Sequence, residues 1–434
     1  MSIEDVKGKK LEKCLDKKKK TICISDNLKI DFNEKKVISN KVIIIDANIK
    51  CSGNIIIENC DILVKENHNN YTVNLNEATV FIKNSKIKFT GKKDNFFVKS
   101  EKSNITFENT IFEGCNSFIK DNNSNITILN CHGIELDFGF IKQSYSGGIL
   151  KIKNSTFLAK EDQDKNNLDE NFLELLSFEI ENCKFNNFIN CIIIEMDLFS
   201  DKSSIIRKCI FENNKIEDKD KISSAKVFIT ESLISKCYFI NYINCISGNF
   251  LMKDKVNVRD CYFENCKNVI AGVKNISGCT FKRCEKIIDY KNTLELSKCK
   301  FIECVGKIIY GLSCIKANIE FCEFKDCKLK DIDDYKFSYL QKNSMIELSS
   351  FEKGCSYKIY KCEFKGIHMK NSNDKLIVTN IDNISDETIC DISNCVFEQS
   401  SPVNEMIECY SVIYRTFGKD KNVKSISINN CNEI

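Results

Sequence analysis

The stretch Ile180-Glu181-Asn182-Cys183-Lys184-Phe185-Asn186-Asn187 holds the pattern that decides the fold. Apolar and polar residues alternate on both sides of Asn182, a period of two that turns one face of each short segment inward. Asn enters the left-handed αL conformation with less strain than any other residue except Gly. A single αL residue between two short segments bends the chain sharply while both keep their inward faces. The stretch reads as strand, tight bend, strand.

The same pattern recurs along the chain. Its anchor, the position of Cys183, is also filled by Cys60, Ser85, Thr110, Cys131, Ser155, Cys209, Cys237, Cys261, Cys279, Cys299, Cys322, Cys362, Cys395 and Cys431. Twelve of these fifteen anchors are Cys and the others are Ser or Thr; Phe stands two residues later in eleven, and the residue three before is apolar in all. Early anchors are about 21 to 28 residues apart, the spacing of solenoid arrays. Asn, Gly or Asp precedes ten of the anchors, as Asn59, Asn182, Asp260 and Gly278 do. Lys208, Lys236, Lys298, Lys361 and Phe321 fill that place elsewhere, and a relaxed bend is expected at those five.

With its coil-like segments and Asn at the tight turn, the chain resembles the right-handed parallel β-helix family, the pectate-lyase-like solenoids. The resemblance implies an all-β, right-handed parallel β-helix of about 15 coils over residues 37–434, about 70 Å long at one strand spacing per coil. It says little about activity, since the family includes lyases, hydrolases, epimerases, phage spikes, adhesins and inert scaffolds. Leucine-rich repeats compete as a fold, but they carry more Leu at fixed offsets, and this chain has one Pro for all its repeats. Residues 1–36 break the repeat. Leu11, Cys14 and Leu15 at helical spacing suggest a short N-terminal helical cap, with Lys17 to Lys20 on its solvated face.

Composition narrows the function classes. The 434 residues carry a net charge of +3, with 29% charged and 42% hydrophobic residues, so neither a polybasic nucleic-acid binder nor a disordered chain is indicated. No apolar run reaches membrane-spanning length and no secretory leader is evident, so neither a nucleic acid nor a membrane is expected as a partner, and a cytoplasmic setting is. In that setting the 26 Cys read as reduced core thiols in a cysteine ladder, beside a ladder of stacked Phe. Cys115, Cys266, Cys284, Cys304 and Cys327 form a second column five residues after the anchors. The outward residues two before the anchors, Glu58, Lys83, Glu108, Leu129, Lys153, Glu181 and Arg207, carry charges of both signs, which stacked coils favour. That makes Arg207 a structural residue.

Few residues carry chemistry. His68, His132 and His368 fall on distant coils, too far apart to share a site, and no cofactor is implied. Cys131-His132-Gly133 resembles the Gly-His-Gly of polygalacturonases, but their paired-Asp and Arg-x-Lys motifs are missing. Asp331, Asp333 and Asp334 are the calcium candidate, although their spacing follows no defined loop motif. The binding candidate is Tyr238 and Tyr262, outward on consecutive coils, with Arg259 across the bend: two exposed rings that suit a sugar or peptide. The last residues, Ser427 to Ile434, end in a coil without a cap, so a protein partner or self-association is expected there. The leading functional reading is a non-catalytic scaffold or recognition protein in an assembly. A lyase or hydrolase acting on acidic polysaccharide is the alternative, and a phage spike or adhesin a third.

Overall fold

The computed structural model describes residues 4–5, 20–24, 28–65, 71–89, 96–115, 117–137, 139–143, 148–160, 172–188, 191–194, 204–213, 227–229, 232–242, 244–248, 256–329, 344–350, 354–369, 375–381, 389–398, 407–410 and 426–433. The chain falls into two units, Met1–Val227 and Phe228–Ile434. Each is a stack of coils in which every strand pairing is parallel, the right-handed parallel β-helix implied by the repeat.

The bends make the coils. In the first unit Asn59, Asn84, Asn109, Asn130, Asn154 and Asn182, each just before an anchor, have φ between 48° and 54°. Their amides also stack: Asn109 donates to Asn84 at 3.1 Å, Asn154 to Asn130 at 3.2 Å and Asn182 to Asn154 at 2.9 Å. The relaxed bends expected at Lys208, Lys236, Lys298, Phe321 and Lys361 do not occur. Their φ values are 55°, 54°, 55°, 55° and 50°, in the same left-handed region as the asparagines. Backbone hydrogen bonds to the next coil hold Lys236, Lys298, Phe321 and Lys361 there, as from the Lys298 N–H to the Glu320 carbonyl at 3.0 Å, and the stack overrides local preference. Replacing Lys208 by Asn, which continues the Asn130–Asn154–Asn182 amide stack, is therefore expected to raise the unfolding free energy by about 1 kcal/mol in urea titrations.

Two further bends close the coil. Four residues after the anchors, Asn241, Asn265, Arg283, Glu303 and Asp326 have φ between 52° and 59°, and Gly366 matches them at 59°. Three residues later come Asn244, Asn268, Lys286 and Gly306, also left-handed. The cysteines follow these bends. Each anchor thiol donates to the carbonyl two residues back, as Cys131 does to Leu129 at 3.2 Å and Cys183 to Glu181 at 3.2 Å. The second column does the same after its own bend, from Cys266 to Glu264 and from Cys284 to Lys282, both at 3.3 Å. Ser85, Thr110 and Ser155 donate to the equivalent carbonyls at 2.8, 3.0 and 2.8 Å. Cys, Ser and Thr thus interchange because each is a compact donor that gives this carbonyl a second hydrogen bond, beside the backbone N–H it accepts from the preceding coil.

Inside the second unit the Phe rings stack face to face. Phe239, Phe263, Phe281, Phe301, Phe324, Phe364 and Phe397 follow one another at 4.7–5.0 Å with ring planes within 9°. In the first unit Phe118, Phe140 and Phe172 come in from another face and meet Phe112, Phe157 and Phe185 at steeper angles. Outside, the charged column is in register from Glu58 to Arg207. Lys83 pairs with Glu58 at 2.8 Å, and Arg207 pairs with Glu181 at 2.7 Å and Glu179 at 3.5 Å.

No described residue is helical. Leu11, Cys14 and Leu15, the residues of the expected helical cap, lie outside the described residues. Parallel pairing starts before residue 37: Thr21–Ile24 pairs with Val42–Ile45, and Leu28–Ser39 with Ile49–Glu58. The described part of the expected cap segment is therefore strand, because Ile22, Ile24 and Ile30 continue the alternating pattern of the coils.

Candidate functional site

Tyr238 and Tyr262 each stand between an inward Cys and an inward Phe, so alternation turns their rings to solvent. Their strands, Tyr238–Ile240 and Tyr262–Glu264, pair with Tyr238 opposite Tyr262 and Phe239 opposite Phe263. The two outward ring centroids are 5.8 Å apart with planes at 45°, and Tyr238 is 49% exposed. Phe239 and Phe263 are buried directly beneath, stacked at 5.0 Å. A rigid aromatic core thus supports an open aromatic pair.

A polar rim adjoins the pair. The Tyr262 hydroxyl donates to Glu264 Oε2 at 3.1 Å, Lys282 Nζ lies 3.5 Å from Glu264 Oε1, and the Arg283 guanidinium contacts the same carboxylate. Arg283 Nε donates to Asn265 Oδ1 at 3.0 Å, and Asn265 donates to Asn241 Oδ1 at 3.2 Å. Burial opposes ionisation of Glu264, but the Tyr262 hydroxyl, Lys282 and Arg283 outweigh it and hold the carboxyl below its ordinary range. Burial, then the Glu264 charge, pushes the Tyr262 phenol up. At neutral pH this edge therefore presents a carboxylate and a phenol in fixed protonation states, suited to hydrogen bonding rather than proton transfer.

Arg259 ends the strand Asn257–Arg259 on the neighbouring face, in register with Ser235 and Ser277. The arginine bonded into the rim is Arg283, which sequence reasoning passed over. Its signal was positional: Arg283 stands four residues after its anchor, as Asn265 and Asn241 do. Asp331, Asp333 and Asp334 lie outside the described residues, as does His68. His132 is exposed between Ile111 and Thr156 on adjacent strands, and His368 is exposed beside Lys328. Among the described residues no group of three or more His, Cys, Asp or Glu is placed to hold a metal ion, and no helix is long and apolar enough to cross a membrane.

Another face of the second unit carries a titratable column absent from the sequence reading. Asp289, Tyr310 and Glu347 are register neighbours. Lys307 contacts the Glu347 carboxylate and lies 4.6 Å from the Tyr310 ring centre, and the Ser344 hydroxyl donates to Glu347 at 3.3 Å.

No protein-family model matches the sequence, and no curated protein does. Among solved structures the chain is similar to a double mutant of the periplasmic alginate epimerase AlgG, at 8% identity over 94% of this chain and 82% of that one, with a TM-score of 0.28. Tailspike protein 3 of Bacteriophage CBA120 matches at 8% identity over 95% of this chain and 56% of that one, TM-score 0.26. The PL6 family alginate lyase AlyGC matches at 8% over 99% and 100%, TM-score 0.20. Likeness at this level carries no functional argument; the fold rests on the register of the strands themselves.

Proposed function

We propose that the protein is a non-catalytic β-helix recognition protein that binds a carbohydrate on the Tyr238–Tyr262 pair and serves as a scaffold in an assembly. The observation that carries this reading is the outward ring pair, Tyr238 exposed and Tyr262 half-buried, next to a rim of fixed charge. A sugar ring lays its C–H face on an aromatic face, and its hydroxyls bond to polar groups at the edge. Glu264, Asn265 and Arg283 supply acceptors and donors in fixed positions. The exposed Ile428, on the strand Ile426–Asn429, gives a protein partner or a second copy a place in the same reading. A cytoplasmic setting belongs to it as well, since thiols donating to carbonyls must stay reduced.

Calorimetric titration with a panel of neutral and acidic oligosaccharides tests the proposal. The native protein is expected to bind at least one of them. The Tyr238→Ala, Tyr262→Ala double variant should lose affinity by about tenfold or more at about 1 kcal/mol per ring, with an unchanged melting temperature. Equal affinity in the two proteins overturns the platform. The specific observation for an enzymatic reading is the Asp289, Tyr310, Glu347 and Lys307 column. A calcium-dependent rise in absorbance from unsaturated uronate products, abolished by Glu347→Gln, would move the assignment to a polysaccharide lyase.

A further inference from the structure

Phe321 stands in the bend column before an anchor, where Asn or Gly folds with least strain, yet it adopts a φ of 55° and leaves its ring 46% exposed. A bulky residue in the left-handed region costs about 1–2 kcal/mol. Core packing does not recover that cost, because the ring points to solvent. Its neighbours in the column on adjacent coils are Lys298 and Lys361, joined by hydrogen bonds from the Lys298 N–H to the Glu320 carbonyl and from the Phe321 N–H to the Tyr360 carbonyl, at 3.0 and 2.9 Å. Both lysines are exposed, and neither is held by a carboxylate among the described residues. The acid beside them, Glu320, is already paired with Lys358 at 2.8 Å. Tyr360 meets Phe321 edge to face at 5.7 Å and 86°, and Lys361 Nζ lies 5.6 and 5.1 Å from the two ring centres.

We propose that the corner formed by Lys298, Phe321, Tyr360 and Lys361 is a docking site for an extended acidic segment of a partner protein. The charge of the corner selects an anion. Two lysines flank Phe321 in the bend column, their backbones two coils or about 10 Å apart along the stack. Carboxylates three residues apart on a polyproline-type segment lie about 9 Å apart on one face, which matches that interval. The rings select a side chain over a sugar. They meet nearly at right angles, and an ammonium lies over both, so the corner lacks the flat open face that a pyranose needs. The site shares no residue with the Tyr238–Tyr262 pair, so either can fail alone.

The test is fluorescence anisotropy with a short fluorescein-labelled peptide in which glutamates flank a leucine, at low and at high salt. Phe321→Asn keeps the bend conformation and should hold or raise the melting temperature while abolishing binding. Lys298→Gln with Lys361→Gln should weaken binding about tenfold at low salt and remove most of its salt dependence, as expected for the loss of two exposed ion pairs. The proposal is overturned if the native protein does not bind the peptide or if both variants bind it as well as the native protein does. It is also overturned if polygalacturonate competes for the corner more tightly than the peptide and loses that affinity in Phe321→Asn.

Discussion

Phe263→Ala is expected to lower the free energy of unfolding by about 3–5 kcal/mol, read as a fall in the urea midpoint at unchanged slope. Phe263 is fully buried and sits between Phe239 at 5.0 Å and Phe281 at 4.9 Å, with planes within 8° of both. Truncation removes two stacked ring contacts at once. The coils above and below are tied by parallel backbone hydrogen bonds, from Tyr262 to Cys237 and from Thr280 to Cys261, so they cannot close the gap without breaking register. The cost should therefore include most of the cavity as well as the lost transfer energy. The adjacent Tyr262→Ala is the internal control. Its ring faces out, so it should cost less than about 1 kcal/mol. Similar losses at the two positions would mean that the strand Tyr262–Glu264 does not alternate as described.

The fold was legible because a β-helix writes each coil in the same short code. The residue three before each anchor, the Phe two after it and the Asn between the strands all hold the places that alternation and αL tolerance assign them. Less was legible where the stack overrides local preference. Lys298 and Phe321 look unsuited to a left-handed bend, but their N–H groups are fixed by the next coil and they bend as Asn does. The second and third bends are harder to see: Asn241, Asn265, Asn244 and Asn268 carry the signature, but Arg283, Glu303 and Lys286 interrupt the column. This also explains why Arg259 was chosen as the arginine near the tyrosines. Counting across a single bend brings it close, whereas the actual path turns again at Arg283 and brings that guanidinium to Glu264. The anchor cysteines are inward as their alternation implies, and size alone already suggests that Ser and Thr can replace them. Their hydrogen bonds add a further reason, since the thiol gives a second bond to a carbonyl the backbone already holds, and Ser or Thr supplies that bond equally well. At the N-terminus the lysine-rich composition masked Ile22 and Ile24, whose alternation already belongs to the coils.

The same thiols lead to the second large prediction, a steep loss of stability in mild alkali. Burial pushes the thiol of Cys115 up to about 12, that of Cys314 up to about 12 and that of Cys131 up to about 11, against an ordinary value of 9.0. A group whose folded value is raised keeps its full stabilising contribution below its unfolded value and loses it as pH climbs towards the folded one. Below about pH 9 these cysteines therefore leave stability independent of pH; above it the unfolded chain releases protons that the folded chain retains. At about pH 10 each of the three favours the unfolded state by about 1.4 kcal/mol, or about 4 kcal/mol together, a large part of a typical domain's stability. Urea midpoints measured at about pH 8 and about pH 10 should show this fall. Cys131→Ser identifies its origin. Serine at this place can donate to the Leu129 carbonyl as Ser155 does to Lys153 at 2.8 Å, but it does not titrate in this range. The variant should thus lose about 1.4 kcal/mol less than the native protein between the two pH values. An equal loss in the variant would assign the alkaline sensitivity to other groups, with the buried Tyr290 phenol, also raised by burial, the next to replace.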